Sequence, residues 1–178
     1  MNTKPNSTTL QLLSRQHSLE KEIPLKAQLK TDINLLTLEV NDTKYYVAPI
    51  ENYTNYYAST SGHIISTQSG APKVLKDRST KGYLKVRIKQ NNQTKVTEKR
   101  VHRLIASTYF EQPDTDANSF PRIQVNHIDG RTDNNKVANL EWCSPQENID
   151  HLYQVLLADG VVRASVLKSG HQRAHNDE

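Results

Sequence analysis

Residues 123–151 read IQVNHIDGRTDNNKVANLEWCSPQENIDH, and this order of residues predicts a strand, a second strand and a helix. Apolar and polar residues alternate over 123–128 until Asp129-Gly130, a dipeptide typical of tight turns. A polar loop follows, and residues 137–143 then return to side chains that pack well. Ser144 and Glu147, with a proline at the first helical position, have the spacing of a capping box, which predicts the start of a helix. We therefore expect a ββα unit.

The ββα unit carries more amide and imidazole side chains than a structural hairpin needs. Five of them lie at the strand end, in the returning segment and in the first helical turns: Asn126, His127, Asn139, Asn148 and His151. A strand end that faces the start of a helix can bring imidazole, amide oxygens and a metal ion together. Cys143 is the only cysteine, so a Cys-x-x-Cys zinc cage is excluded and a metal must be held by N and O ligands. This arrangement is typical of a nuclease.

Residues 73–103, upstream of the ββα unit, concentrate positive charge. They contain eleven Lys and Arg residues and two acidic residues, a net charge of +9, although the whole chain carries only +4. Residues 82–89 alternate strictly, which predicts a strand with an apolar face and a basic face. A second basic strand is predicted over 94–101 and a closing helix over 101–110. Such a surface is expected to bind a polyanion, the alternative being an ordinary solvated face.

The chain divides into five predicted parts, which together make an α+β protein. The parts are an N-terminal extension of unknown function at 1–44, a small basic antiparallel sheet with a helix at 45–110, a linker at 111–122, the ββα unit at 123–157 and a polar tail at 158–178. Within the extension, leucines at roughly helical spacing predict two short amphipathic helices, at 10–20 and 25–36.

Composition limits the class of protein. Of 178 residues, 35% are hydrophobic, against roughly 45–50% in ordinary globular domains. The length suits one ordinary domain or two small modules and excludes a large multi-layer enzyme. No apolar run approaches the ~18 residues of a membrane span, and no signal-type apolar stretch follows the first residues. We expect small cores and a soluble, cytoplasmic protein with no membrane contact.

Several ordered motifs resemble those of the HNH endonucleases, in particular the phage intron-encoded and free-standing homing enzymes. The matching motifs are VNHIDG at 125–130, NN at 134–135, NLEW at 139–142 and ENxxH at 147–151. Upstream, residues 57–66, 82–86 and 101–106 are similar to the NUMOD-type DNA-binding module that often precedes this motif. The resemblance covers about residues 45–153 and implies a ββα-metal nuclease unit behind a DNA-binding module.

The resemblance implies roles for four residues of the ββα unit. His127 would be the general base that deprotonates the attacking water, which suits an imidazole near neutral pH. Asn126 and Asn148 would bind one divalent cation, Mg²⁺ or Mn²⁺, and Asn139 would hold the loop so that His127 points correctly. Many relatives carry Asp at the position of Asn126. Two neutral amides predict weak cation binding in the absence of DNA.

Double-stranded DNA is the expected partner, and no protein partner is indicated. The residues expected to contact DNA are Lys85, Arg87, Lys99, Arg100, His102, Arg103 and His151. For His102, a structural hydrogen bond is an equal alternative. Turn roles are expected for Asp129, Asn134 and Asn135, and packing roles for Trp142, Tyr53, Tyr56 and Tyr57.

The function that follows is metal-dependent hydrolysis of DNA phosphodiester bonds, leaving 5′ phosphate and 3′ hydroxyl ends, in a phage or mobile-element setting. The cellular site would be the cytoplasm of a bacterial host or a phage-infected cell. Two alternatives from other classes remain open: a catalytically inactive DNA-binding regulator on the same fold, and an RNA-binding module that uses the same basic surface.

Overall fold

Within residues 28–80, 82–112 and 115–158, which the computed structural model describes, the chain forms three antiparallel sheets and two α-helices. The first sheet is a five-stranded meander of β1 (Leu36–Val40), β2 (Thr43–Pro49), β3 (Tyr56–Ser59), β4 (Ile64–Ser66) and β5 (Lys73–Val74). The second has three strands, β6 (Arg78–Thr80), β7 (Tyr83–Ile88) and β8 (Thr97–Arg100). The third pairs β9 (Gln124–His127) with β10 (Leu140–Cys143), and the helices are α1 (Val101–Tyr109) and α2 (Pro145–Ala158).

Helix α1 is the centre of the core. It packs against strands of all three sheets, and its residues Ile105 and Tyr109 are fully buried. The Tyr109 hydroxyl donates to the Ala58 carbonyl over 2.7 Å, which ties the helix to β3. Val125 and Leu140, from the β9–β10 pair, belong to the same apolar cluster. The ββα unit, too small to bury a core alone, therefore completes its core on the upstream sheets.

The predicted ββα elements form, although residues 137–139 of the returning segment make a short 3-10 helix and strand β10 begins only at Leu140. Ser144 and Glu147 make the reciprocal bonds of a capping box, Glu147 N to Ser144 Oγ at 3.2 Å and Ser144 N to Glu147 Oε2 at 2.9 Å. Glu147 also accepts two bonds from the Arg122 guanidinium, at 2.6 and 3.0 Å. This guanidinium, more than any other group, lowers the pKa of the Glu147 carboxyl. The start of α2 is thereby fixed against the segment before β9.

The helix predicted over 25–36 is wrong in its described part, and the one predicted over 10–20 lies outside the described residues. Residues 28–35 contain no helix, and Leu36 begins strand β1. Leucine spacing there is compatible with either structure, and pairing with β2 decides it: Leu36 lies opposite Val47. A tight turn with positive φ at Asn41 and Asp42 closes this hairpin. The predicted boundary at 44/45 therefore falls inside β2.

The predicted linker at 111–122 is a fixed loop in its described part, where an isolated antiparallel bridge joins Thr115 to Pro121. Asp116 Oδ1 accepts bonds from the amides of Asn118 at 2.8 Å and Phe120 at 3.0 Å, which closes the loop on itself.

In the described part of the chain, no helix has the length and apolarity to cross a membrane.

Candidate active site

Strand β9 and helix α2 bring four of the predicted residues to one cavity of about 150 Å³. Asn126 and His127 end β9, and Asn148 and His151 lie in the first two turns of α2. Tyr83, the first residue of β7, also lines this cavity. We call it the His127 cavity. The predicted convergence of strand end and helix start is therefore present.

His127 is held in one tautomer by Asn135. Its Nε2 lies 3.1 Å from Asn135 Oδ1, and Asn135 Nδ2 donates to the Asp133 carbonyl over 3.4 Å, so the amide oxygen faces the ring. Nε2 must then carry the hydrogen, which leaves the lone pair on Nδ1. Burial lowers the pKa of His127, and Asn135 and two nearby carboxylates offset only part of this effect. The ring is neutral near pH 7 and can accept a proton at Nδ1.

Asn135 is the functional residue that sequence reasoning missed, because it was expected to be a turn residue. Its neighbour Asn134 does have a turn role, with Nδ2 donating to Asp129 Oδ2 over 2.6 Å. Only burial separates the two: Asn135 is 3% exposed and faces His127. No local signal distinguishes two consecutive asparagines in a polar loop.

His102 forms a ring cluster with His127 and Tyr83. The His102 and His127 centroids are 5.1 Å apart at 76°, and Tyr83 lies 5.1 Å from His102. His102 is 3% exposed, and its Nδ1 has no hydrogen-bond partner in the described residues. Burial is the main cause that lowers its pKa to about 3, followed by repulsion from His127 once that ring is protonated in acid, and from Arg100 and Arg103. His102 is therefore an uncharged ring that packs beside His127. A DNA contact through this buried ring stays a prediction.

Asn139 ties together the loop that joins the two strands. Its Oδ1 accepts from the Asp129 amide at 3.0 Å, and its Nδ2 donates to Asp129 Oδ1 at 2.9 Å and to the Asn134 carbonyl at 2.8 Å. These three bonds span both ends of the loop that carries Asn135. They are the interactions expected of a residue that holds the loop; its effect on catalysis stays a prediction.

Two upstream turns also hold this loop. Gly62, in the β3–β4 turn, lies so close to it that an added Cβ would be 2.6 Å from the Asn135 carbonyl carbon. In the same contact the Val137 amide donates to the Thr60 carbonyl over 3.1 Å. At a second point Thr132 Oγ1 donates to the Gly82 carbonyl over 2.7 Å. The position of Asn135, and through it of His127, therefore depends on the upstream sheets.

Among the described residues, Asn126 and Asn148 each have one amide oxygen without a hydrogen bond. Asn126 Nδ2 donates to Glu141 Oε1 over 2.9 Å, and Asn148 Nδ2 donates to Gln124 Oε1 over 2.7 Å. His151 Nε2 donates to the Ile128 carbonyl over 3.0 Å, which leaves its Nδ1 as an acceptor. Within the described ranges, no group of three or more His, Cys, Asp or Glu residues is placed to hold a metal ion. Neutral oxygen donors fit a hard cation such as Mg²⁺ when phosphate and water complete its shell.

Four of the seven predicted DNA-contact residues, Lys85, Arg87, Lys99 and Arg100, lie in the second sheet and divide between its two faces. Lys85 lies opposite both Arg78 and Arg100, so these three cations share a face with Tyr83 and Arg87. Arg100 lies over the Tyr83 ring at 5.2 Å. Lys99 lies opposite Val86, a buried core residue, and is half-buried on the other face. We call the first of these the basic face; it adjoins the His127 cavity at Tyr83.

Arg103, an exposed residue of α1, contacts the buried side chain of Trp142. The Arg103 guanidinium lies 5.5 Å from the centroid of the Trp142 ring, and its Nη1 donates to the Ile123 carbonyl over 2.9 Å. Trp142 is buried, as predicted. Tyr56 is buried as well, and Tyr53 and Tyr57 pack against the apolar clusters. Arg103 thus has a structural contact, and its predicted contact with DNA is untested.

Comparison with known proteins gives matches to HNH endonucleases. The chain is 42% identical over 104 residues to an uncharacterized HNH endonuclease of Acanthamoeba polyphaga mimivirus, and 30% identical over 125 residues to a second uncharacterized HNH endonuclease of that virus. The chain is similar to HNH endonucleases. The alignments cover 58% and 68% of this chain but 28% and 30% of the relatives, so the chain spans less than a third of their length.

No protein-family model matches the chain. Among solved structures, one of DNA binding and cleavage by the HNH homing endonuclease I-HmuI aligns with a TM-score of 0.48 and 26% identity. This alignment covers 71% of this chain and 66% of that one.

Proposed function

We propose that this chain is a metal-dependent HNH DNA endonuclease that hydrolyses phosphodiester bonds. One observation carries the proposal: Asn126, His127, Asn148 and His151 line a single cavity, in which His127 is neutral and its Nδ1 has no partner among the described residues. Over more than half of its length the chain is similar to proteins named HNH endonucleases, and this similarity supports the same reaction.

His127 supplies the base for hydrolysis. Its Nδ1 takes a proton from a water molecule, the water oxygen forms a bond to phosphorus, and the bond from phosphorus to the 3′ oxygen breaks. Solvent protonates the departing 3′ oxygen. The products are a 5′ phosphate and a 3′ hydroxyl. Asn135 keeps the hydrogen on Nε2 throughout the approach, so that Nδ1 remains the accepting atom.

Asn126 and Asn148 would hold the divalent cation, Mg²⁺ or Mn²⁺, through their Oδ1 atoms. When bound, the cation neutralises charge that develops on the phosphate and on the leaving oxygen. Two neutral ligands attract a cation weakly on their own. The site would therefore be filled together with DNA, whose phosphate would add the missing negative charge.

The basic face would carry the DNA to the cavity. Lys85, Arg87 and Arg100 lie on this face, which ends at Tyr83 beside His127. Phosphates on such a surface release condensed counterions, which gives affinity without sequence preference. We assign residues upstream of the ββα unit to a NUMOD-like DNA-binding role. A phage or mobile-element setting and a cytoplasmic location complete the proposal.

The test is nicking of supercoiled plasmid with Mg²⁺ or with EDTA. The wild-type protein should produce open-circular DNA only with Mg²⁺ or Mn²⁺, and DNA ligase should reseal the nicks because their ends are 5′ phosphate and 3′ hydroxyl. His127→Ala should retard DNA in a gel within a few fold of wild type and lose nicking. His171→Ala, in the polar C-terminal segment to which no role is assigned, is the matched control. A wild-type protein that binds DNA but never nicks it would instead be a DNA-binding regulator.

A further inference from the structure

A carboxylate on the neighbouring strand holds Asn126. Asn126 lies directly opposite Glu141 in the β9–β10 pair, so the two side chains share one face of the sheet. Asn126 Nδ2 donates to Glu141 Oε1 over 2.9 Å. An ionised carboxylate accepts hydrogen bonds and cannot donate them. The amide group of Asn126 therefore has one favoured orientation, with Nδ2 toward Glu141.

This orientation decides which atom of Asn126 is left for a ligand. Asn126 lines the His127 cavity, and in the described part of the chain its Oδ1 makes no hydrogen bond. Glu141 lines a different cavity, of about 220 Å³, beside Glu147 and Asp150. Glu141 thus contacts the candidate ligand without lining the cavity in which the cation would bind.

The other candidate ligand has a different kind of partner. Asn148 Nδ2 donates to Gln124 Oε1 over 2.7 Å, and a glutamine amide can either donate or accept. Both amide groups of that pair can turn over together and keep a hydrogen bond. Glu141 allows no such exchange, so Asn126 is the ligand whose oxygen is fixed by its partner.

We propose that Glu141 is a positioning residue that keeps Oδ1 of Asn126 available to a divalent cation in the His127 cavity. The proposal rests on the proposed function, because that function includes the cation site at Asn126. Orientation matters because Asn126 has no charge: turned over, it would present the Nδ2 hydrogens to the cation. A carboxylate at this position would offer an oxygen in either orientation.

Two substitutions at Glu141 separate orientation from charge. Glu141→Gln removes the charge but keeps a partner that either accepts from Nδ2 or donates to Oδ1. With the two orientations about equally populated, the cation affinity should fall about twofold. Glu141→Leu removes the acceptor and leaves Nδ2 unpaired in a buried position. An outer partner of a metal ligand typically contributes about 10-fold to 100-fold in affinity, so we expect a loss of about tenfold or more.

The measurement is calorimetric titration of Mn²⁺ into the full chain bound to a DNA duplex, with a duplex-only titration subtracted. All proteins carry His127→Ala so that the duplex stays intact, and melting temperatures are recorded without metal. The Mg²⁺ midpoint of plasmid nicking is measured separately with His127 present. Glu39→Gln and Glu39→Leu, at an exposed glutamate on strand β1, are the matched controls and should change nothing.

Each outcome supports or overturns the proposal. A small loss in Glu141→Gln with a large loss in Glu141→Leu supports it. Equal losses would show that only charge matters, and no loss in Glu141→Leu would show that the contact is structural; both overturn it. If Glu141→Leu does not fold, the reversed pair Asn126→Asp with Glu141→Gln decides, and should bind Mn²⁺ at least as well as wild type. A parent protein that neither binds Mn²⁺ above the blank nor, with His127, nicks plasmid overturns the proposed function itself.

Discussion

The upstream sheets and helix α2 of the ββα unit are stabilised by different interactions. Upstream, apolar side chains such as Val47, Ala58 and Ile88 are fully buried, so removal of surface from water dominates. In the ββα unit, no described residue of α2 is fully buried. The start of α2 is fixed by the bidentate ion pair of Arg122 with Glu147. The loop between β9 and β10 is fixed by the hydrogen bonds of Asn139. Changes upstream should therefore lower stability first, whereas changes in the ββα unit should first move His127.

The largest expected effect would show whether the two regions unfold together. Ile105 is fully buried in α1, which packs against strands of both regions. Ile105→Ala should lower the free energy of unfolding by about 2–5 kcal/mol. Ile149→Ala, the same change on the exposed side of α2, should cost under about 0.5 kcal/mol.

Urea unfolding followed by two probes checks this prediction. Trp142 is the only tryptophan and lies in β10, so its fluorescence reports on the ββα unit. Circular dichroism reports on the whole chain. Coincident transitions in wild type and in Ile105→Ala would show one cooperative core. A tryptophan transition at lower urea would show instead that the ββα unit unfolds by itself.

The next effect tests whether the upstream region positions the loop beside His127. Gly62 has a φ of +91° and its missing Cβ would lie 2.6 Å from the Asn135 backbone. Gly70 has a φ of +89° with nothing within 4 Å of the same position. Both alanine variants incur about 1 kcal/mol of backbone strain, but only Gly62→Ala must also displace the loop, at about 1–3 kcal/mol more.

Nicking rates and melting temperatures separate the two contributions. We expect Gly62→Ala to lose about tenfold or more of the nicking rate, because Asn135 and His127 move with the loop. Gly70→Ala should keep its rate and lose only stability. Equal rates in the two variants would contradict a positioning role for the β3–β4 turn.

The comparison also shows which features sequence reasoning can reach. The ββα elements were predictable because their signals are local: a turn dipeptide after β9 and a capping box at Ser144. The partner of His127 was not, because the choice between Asn134 and Asn135 depends on contacts with Gly62 and Gly82, far away in the sequence. Strand β1 was missed for a similar reason, since its leucine spacing acquires meaning only through pairing with β2.

A third prediction concerns the loss of folding stability in acid that His102 should cause where the two regions meet. His102 of α1 is buried against His127, and burial lowers its pKa to about 3, against about 6.5 in the unfolded chain. Below pH 6.5 the unfolded chain binds a proton that the folded chain does not. Stability is therefore full above pH 6.5 and falls as the pH drops toward 3.

The size of this effect follows from linkage. Between pH 7.5 and pH 5 one such histidine costs about 2 kcal/mol. His102→Phe keeps a ring of similar size without the titration, so its free energy of unfolding should fall less over this range. Urea unfolding at the two pH values gives both slopes. Parallel slopes for the two proteins would show that the folded state also protonates His102.

The smallest expected effect is on the salt dependence of DNA affinity, at two lysines of the second sheet that carry the same charge. Lys85 lies on the basic face, in a row with Arg78 and Arg100, whereas Lys99 lies opposite buried Val86 on the other face. Lys85 is also 3.8 Å from Glu98, a half-exposed pair that contributes little to stability.

If DNA lies on the basic face, Lys85→Ala should reduce the slope of log affinity against log salt by about one unit, since one phosphate contact and its released counterion are lost. Lys99→Ala should leave that slope unchanged, although both variants lose one positive charge. Duplex binding measured at four or five salt concentrations decides between the faces. Equal reductions in both variants would mean that the DNA follows the edge strand β8, and no reduction in either would place it away from this sheet, so that the upstream region would serve the active site through its contacts with the loop alone.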